Sequence, residues 1–235
     1  MSSYAGLREQ VLEANLEIVR AGIVVLTFGN VSGADRAAGV MAIKPSGVPY
    51  DRLSADAIVV LDLESGDVVA GEARPSSDTP THLVLYRAFA GAGGIVHTHS
   101  PYATAWAQAC RELPCLGTTH ADHFDGPVPL TRQLRREEIE ADYERLTGEA
   151  IVEEFARLDL DPLARPAVLV ASHGPFAWGA DVAAAVENAV ALEAVAAGAL
   201  RTELLRPDAA PIGADLRERH FRRKHGPAAY YGQQR

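Results

Sequence analysis

Leu7, Val11, Leu12, Leu16 and Val19 recur at three- and four-residue steps near the start of the chain, the spacing of an amphipathic helix, and Gly22 closes it. The pattern then changes. Residues 23–28 are a short β-branched and aromatic run that predicts a strand, with Gly29 and Asn30 as turn residues behind it. Val40–Ile43 predicts a second strand, stopped by Lys44-Pro45-Ser46-Gly47. Residues 58–63 and 68–70 flank Glu64-Ser65-Gly66-Asp67, a hairpin signal that implies antiparallel pairing. Ser76, Ser77 and Asp78 precede Thr79-Pro80 and an apolar-periodic stretch ending near Phe89, which predicts a helix with its start at these capping residue types. A strand follows over 93–99, a helix over 102–109, two helices over 137–158 separated near Gly148, and a buried strand over 167–171. Asp181 caps a long predicted helix that reaches Leu205, and residues 215–224 form the last one before the tail from His225.

Helices alternate irregularly with strands, and at least one strand pair is a hairpin. That pattern favours an α/β sandwich with a largely antiparallel or mixed sheet over a doubly wound parallel one. No G-x-G-x-x-G follows a strand and opens a helix, which counts against a dinucleotide site. No linker-like or repeated segment divides the 235 residues, so residues 1–235 are expected to form a single domain.

Composition narrows the function. The chain is 48% hydrophobic and 23% charged, with a net charge of −9, which argues against nucleic acid as a partner because phosphate binding needs clustered Lys and Arg. Two cysteines, Cys110 and Cys115, make neither a disulfide framework nor a zinc ribbon, and read as buried or partly buried free thiols. The first twenty residues are amphipathic and lack a signal-peptide core. The most apolar stretch, 182–200, is interrupted by Glu187, Asn188 and Glu193 and reads as a soluble helix, so no membrane partner is expected and the cytoplasm is the expected compartment.

The candidate chemistry centres on His97-Thr98-His99. Side chains two apart on a strand share a face, so two imidazoles stand side by side as half of a divalent-metal site. Asp78 and His173 are the candidates for the rest. Each has a plainer alternative, Asp78 as a helix cap and His173 as a turn histidine. A second group, Gly29-Asn30-Val31-Ser32-Gly33 with Lys44-Pro45-Ser46-Gly47 and Ser76-Ser77, offers amides, hydroxyls and one ammonium suited to a phosphate monoester, or else simply makes turns. A third, Thr118-Thr119-His120-Ala121-Asp122, lies in a loop-like region, with Asp122 a candidate base and His120 a supporting donor. The tail pair Tyr230-Tyr231 can pack as an anchor or supply a phenolic proton.

Together these segments resemble the L-ribulose-5-phosphate 4-epimerases of the class II aldolase/epimerase superfamily. The resemblance runs through GNVS (29–32), IKPSGV (43–48), PSSDTPTH (75–82), GGIVHTHS (93–100), GTTHAD (117–122), SHGPFAWG (172–179) and RKHG (223–226). It implies an α/β/α sandwich with a mainly antiparallel central sheet. It implies a catalytic zinc held by Asp78, His97, His99 and His173, with manganese or cobalt also suited to such a donor set, and acid/base residues at Asp122 and Tyr231. Contacts to a small phosphorylated ketopentose fall to Asn30, Lys44, Ser46, Gly47, Ser76 and Ser77, with Thr118 and Glu144 across a subunit boundary and His220 linked to the site. The family is a homotetramer with active sites between subunits, so the tail 225–235 is expected to reach a neighbour's site. The implied reaction inverts C4 by breaking and remaking the C3–C4 bond, with the metal stabilising the enediolate. Rival readings are an epimerase of a different pentulose phosphate, a class II aldolase acting on a ketose 1-phosphate, in which Glu replaces Asp78, and a non-catalytic metal-binding protein.

Overall fold

The computed structural model describes residues 4–226 and 229–231. Seven strands form one sheet: β1 (Gly29–Asp35), β2 (Val40–Ile43), β3 (Val59–Asp62), β4 (Val68–Ala70), β5 (Gly94–Thr98), β6 (Ala167–Leu169) and β7 (Pro175–Gly179). Their order across the sheet is β4-β3-β2-β1-β5-β7-β6, and every neighbouring pair is antiparallel. Alternation along β5 divides the core. Val96 packs with Val31, Trp106 and Leu192 on one face, under α1 (Ala5–Arg20), α3 (Pro101–Gln108) and α6 (Val182–Leu205). Ile95 packs with Leu85, Tyr86, Ile151 and Trp178 on the other, under α2 (Thr79–Ala88) and α5 (Arg136–Arg157). A single turn, α4 (Thr118–Ala121), and α7 (Ala214–Lys224) pack together outside these layers.

Helix α6 is long and apolar enough to cross a membrane by composition, yet it lies against β7 and β5 with its apolar face in the core. Asp181 caps it, accepting the Ala184 N–H at 2.8 Å. The charge that interrupts the apolar run serves the structure. The Glu193 carboxylate accepts the N–H groups of Tyr102 and Ala103 at 2.8 and 2.9 Å. It therefore satisfies two orphan donors in the first turn of α3, directly after the His97–His99 segment.

Several expectations need correction. Residues 23–28 are not a strand; Leu26 has φ +54°, a turn separates Val25 from Phe28, and the strand begins at Gly29 instead. Ile23 is buried but Val25, Leu26 and Phe28 are exposed, so the apolar run there does not mark core. The helix over 136–157 breaks at Asp142 (φ −160°, ψ 72°), not at Gly148. Gly148 sits inside the helix because a Cβ there would lie 2.8 Å from Cβ of Val84, so glycine permits close packing of α5 on α2. Strand β7, opened by Pro175, has no counterpart among the elements the sequence pattern predicts, and residues 118–121 are helical rather than loop-like. Cys110 is exposed, and only Cys115 is buried.

Candidate active site

The register of three adjacent strands builds the site. Asn30 on β1 pairs with His97 on β5, and His97 pairs with Phe176 on β7. His97 stacks on Phe176 at 4.2 Å between ring centroids. Its Nδ1 donates to the Pro175 carbonyl at 3.0 Å, which leaves Nε2 as the nitrogen facing His99 Nε2 at 3.2 Å. His173 arrives from the turn between β6 and β7. That turn lies flat on β5 because Gly174 has no side chain; a Cβ there would stand 2.9 Å from the Thr98 carbonyl oxygen. One ligand atom from each of His97, His99 and His173 then lies within 4.8 Å of the other two.

Asp78 borders the same cavity, of about 440 Å³. It occupies the cap position of α2 but makes no side-chain cap bond. Its Oδ2 instead accepts from Asn30 Nδ2 at 2.6 Å, while the same amide donates to Ser76 Oγ at 3.1 Å. Burial opposes ionisation of Asp78, but the surrounding His97 and His82 imidazoles and the Asn30 amide outweigh it and hold the carboxyl below its usual range. Burial pushes the His173 imidazole down to about 4 and lowers His99 as well. Near neutral pH these two rings are therefore neutral lone-pair donors. Three convergent imidazoles with a carboxylate alongside suit zinc, manganese or cobalt.

Beyond the histidines, the cavity wall is polar. The segments Lys44–Gly47 and Pro75–Ser77 lie side by side, joined by a Pro45–Pro75 bridge and by the Ser76 N–H donating to the Lys44 carbonyl at 3.0 Å. Lys44 is only 2% exposed. Its Nζ donates to the Pro45 carbonyl at 3.4 Å and lies 4.8 Å from the Tyr50 ring centroid, and among the described residues no carboxylate pairs with it. A buried ammonium without a counter-charge is costly, and an incoming anion relieves that cost. Asn30, Lys44, Ser46, Gly47, Ser76, Ser77 and Glu144 all line the cavity. Glu144, which the resemblance sets across a subunit boundary, thus borders the cavity of its own chain.

The remaining candidates gather elsewhere. Thr118 opens α4, and Asp122 follows it, with its N–H donating to the Thr118 carbonyl at 2.9 Å. Asp122 accepts from His220 Nδ1 at 3.0 Å and from Nε and Nη2 of Arg223, whose side chain lies over the Tyr231 ring. Neither Thr118, Asp122, His220 nor Tyr231 lines the histidine cavity of the same chain. His120 is not a donor to the site: buried, it donates from Nε2 to the Gly126 carbonyl at 2.8 Å. Of the tail 225–235, Pro227, Ala228 and residues 232–235 lie outside the described residues.

Sequence reasoning misses Tyr143. The break at Asp142 turns this residue and Glu144 to the cavity, and the Tyr143 hydroxyl meets His173 Nδ1 at 3.2 Å. The polar Asp142-Tyr143-Glu144 run within a helical pattern is the one signal that could have found it.

The fold and site define a class II aldolase architecture. The class II aldolase and adducin N-terminal domain family matches residues 9–200, and the chain belongs to that family. An L-fuculose 1-phosphate aldolase structure is similar over 95% of this chain and 97% of its own, with TM-score 0.78 and 25% identity. The L-fuculose-1-phosphate aldolase of Thermus thermophilus is also 25% identical, with TM-score 0.66 over 86% of this chain and 98% of its own. An aldolase II superfamily protein from Pseudomonas syringae shares the fold at TM-score 0.76 over 97% and 88% of the two chains, at 15% identity.

Proposed function

We propose that this chain is a divalent-metal-dependent epimerase of a 5-phosphoketopentose that interconverts L-ribulose 5-phosphate and D-xylulose 5-phosphate. The reading is carried by a division of labour between carboxylates. Asp78 stands beside the histidines with one oxygen tied to Asn30 at 2.6 Å, while a separate carboxylate and phenol, Asp122 and Tyr231, share one guanidinium. An aldolase that uses a longer Glu at position 78 as both ligand and base has less need of such a pair.

Chemistry requires the pair. C4 of the substrate carries no acidic hydrogen, because no carbonyl adjoins it, so inversion goes through cleavage of C3–C4. One group removes the C4 hydroxyl proton as the bond breaks, the aldehyde fragment rotates, and a group on the opposite side returns a proton after re-addition. Asp122 and Tyr231 take these two roles. Lys44, Ser46, Gly47, Ser76 and Ser77 hold the phosphate, and Asn30 fixes Asp78 and orients the substrate beside it. Glu144, Thr118 and His220 complete the substrate contacts. A divalent cation held by Asp78, His97, His99 and His173 supplies Lewis-acid stabilisation of the negative charge that develops on the three-carbon fragment. In a homotetramer, Asp122 and Tyr231 of one subunit serve the histidine cavity of the next, with the tail 225–235 crossing the boundary.

A second reading, cleavage of a ketose 1-phosphate, is favoured by the 25% identity to L-fuculose 1-phosphate aldolase. Zinc-loaded protein incubated with L-ribulose 5-phosphate should yield D-xylulose 5-phosphate, and stripping the metal with a chelator should abolish the product. Absence of xylulose phosphate, or full activity after stripping, overturns the epimerase reading. Rapid cleavage of L-fuculose 1-phosphate in the same preparation would establish the aldolase instead.

A further inference from the structure

One arginine touches both groups just cast as acid and base. From α7, Arg223 Nε donates to Asp122 Oδ1 at 2.7 Å and its Nη2 to Oδ2 at 2.5 Å, a bidentate fork. Its guanidinium carbon lies 4.4 Å from the Tyr231 ring centroid. Its carbonyl accepts the N–H groups of Tyr230 and Tyr231, each at 3.0 Å. We propose that Arg223 is a positioning residue that fixes Asp122 and Tyr231 relative to each other, so that the two reach the substrate as one preset unit. This inference rests on the acid/base reading of those two residues.

The surroundings explain why an arginine does this. Asp122 also faces His220 Nδ1 at 3.0 Å, and its carbonyl accepts from His225 Nε2 at 3.0 Å. Lys224 Nζ stands 3.3 Å from His123 Nε2 and 5.3 Å from the Tyr231 ring centroid. Among the described residues, no second carboxylate bonds to Arg223. The Asp122 environment is thus made of cations and imidazoles. Burial works against its charge, but Arg223 and His220 prevail and keep the carboxyl below its ordinary range, so Asp122 stands ionised near neutral pH. A planar fork can bind two carboxylate oxygens and lie over a ring simultaneously, whereas an ammonium is a point charge that cannot.

The test uses the full-length, zinc-loaded protein with Arg223→Lys and Arg223→Gln. Both variants should keep wild-type metal content and KM but lose about 10²-fold in kcat, the scale of a misplaced acid/base group. The two should differ in pH profile. The acid limb of kcat moves to higher pH in Arg223→Gln, because Asp122 loses its cation, and stays in place in Arg223→Lys, which keeps the charge but not the fork. Chymotryptic cleavage at the Tyr230-Tyr231 tail should accelerate in both. An active wild type whose two variants retain kcat within about twofold, with an unmoved acid limb, overturns the proposal, since acid/base displacement costs far more. If the wild type turns over neither sugar phosphate, the functional reading has failed, and the clamp is judged separately. Carbon NMR of Asp122 should then show its carboxyl titrating at higher pH in Arg223→Gln, and an unchanged titration with unchanged tail cleavage refutes it. Should Arg223→Gln not fold, Arg223→Lys decides through kcat and tail cleavage.

Discussion

Tyr143 reaches His173 from the break in α5, and its hydroxyl lies against the ring nitrogen Nδ1. Such a partner fixes which nitrogen of a ligand faces the metal. Tyr143→Phe should therefore weaken zinc binding by about 10- to 100-fold, the usual effect of removing an outer partner of a metal ligand, measured by chelator competition. Wild-type affinity in the variant would show that His173 is oriented by its turn alone. His120 belongs to the fold. Burial pushes its imidazole down from 6.5 to about 4. In the unfolded chain it takes up a proton near pH 6.5, so the stability tied to the neutral ring is full above that pH and declines as pH falls toward 4. The slope contributed is about 1.4 kcal/mol per pH unit, roughly 3 kcal/mol in all. Urea unfolding across the range from the unfolded to the folded value should show His120→Gln with a flatter pH dependence than wild type; parallel curves would dismiss the idea.

Elements that alternate or repeat cleanly are legible from the chain. Helix α2, strand β2, the β3–β4 hairpin and the Asp181 cap all fall where their residue types put them, because their signals are local. Residues 23–28 mislead because β-branched composition reports a preference for a half-buried surface, and only tertiary packing decides whether the surface exists. Gly148 misleads for a related reason: a glycine inside α5 serves close contact with α2, which no local signal reveals. Glu193 is the clearest case of a residue whose role lies across the fold. Glu193→Ala should destabilise the protein by about 1 to 2 kcal/mol, as loss of a helix cap does, seen as a lower urea midpoint at unchanged slope. An unshifted midpoint would mean that water replaces the carboxylate at Tyr102 and Ala103.

For the whole molecule, the decisive feature is that the histidine cavity and the Asp122–Arg223–Tyr231 cluster occupy separate places in one chain. If neighbouring subunits complete each other's sites, two inactive variants should complement. Mixing His97→Asn with Asp122→Asn subunits at equal amounts, with reassembly, should restore about a quarter of wild-type activity, because roughly one boundary in four then joins two intact halves in a cyclic oligomer. Mixtures as inactive as their components would place the whole reaction within one chain. By itself, the sequence determined an α/β class with a largely antiparallel or mixed sheet, the paired histidines at 97 and 99 and the residues able to carry metal and phosphate, because strand alternation and residue chemistry are local properties. Only the tertiary structure decided that His173 meets those two histidines, that Asp78 turns from its helix to Asn30, and that Arg223 joins Asp122 to Tyr231. Most of these contacts join residues dozens of positions apart, brought together by sheet order and helix docking, for which short-range spacing carries no signal.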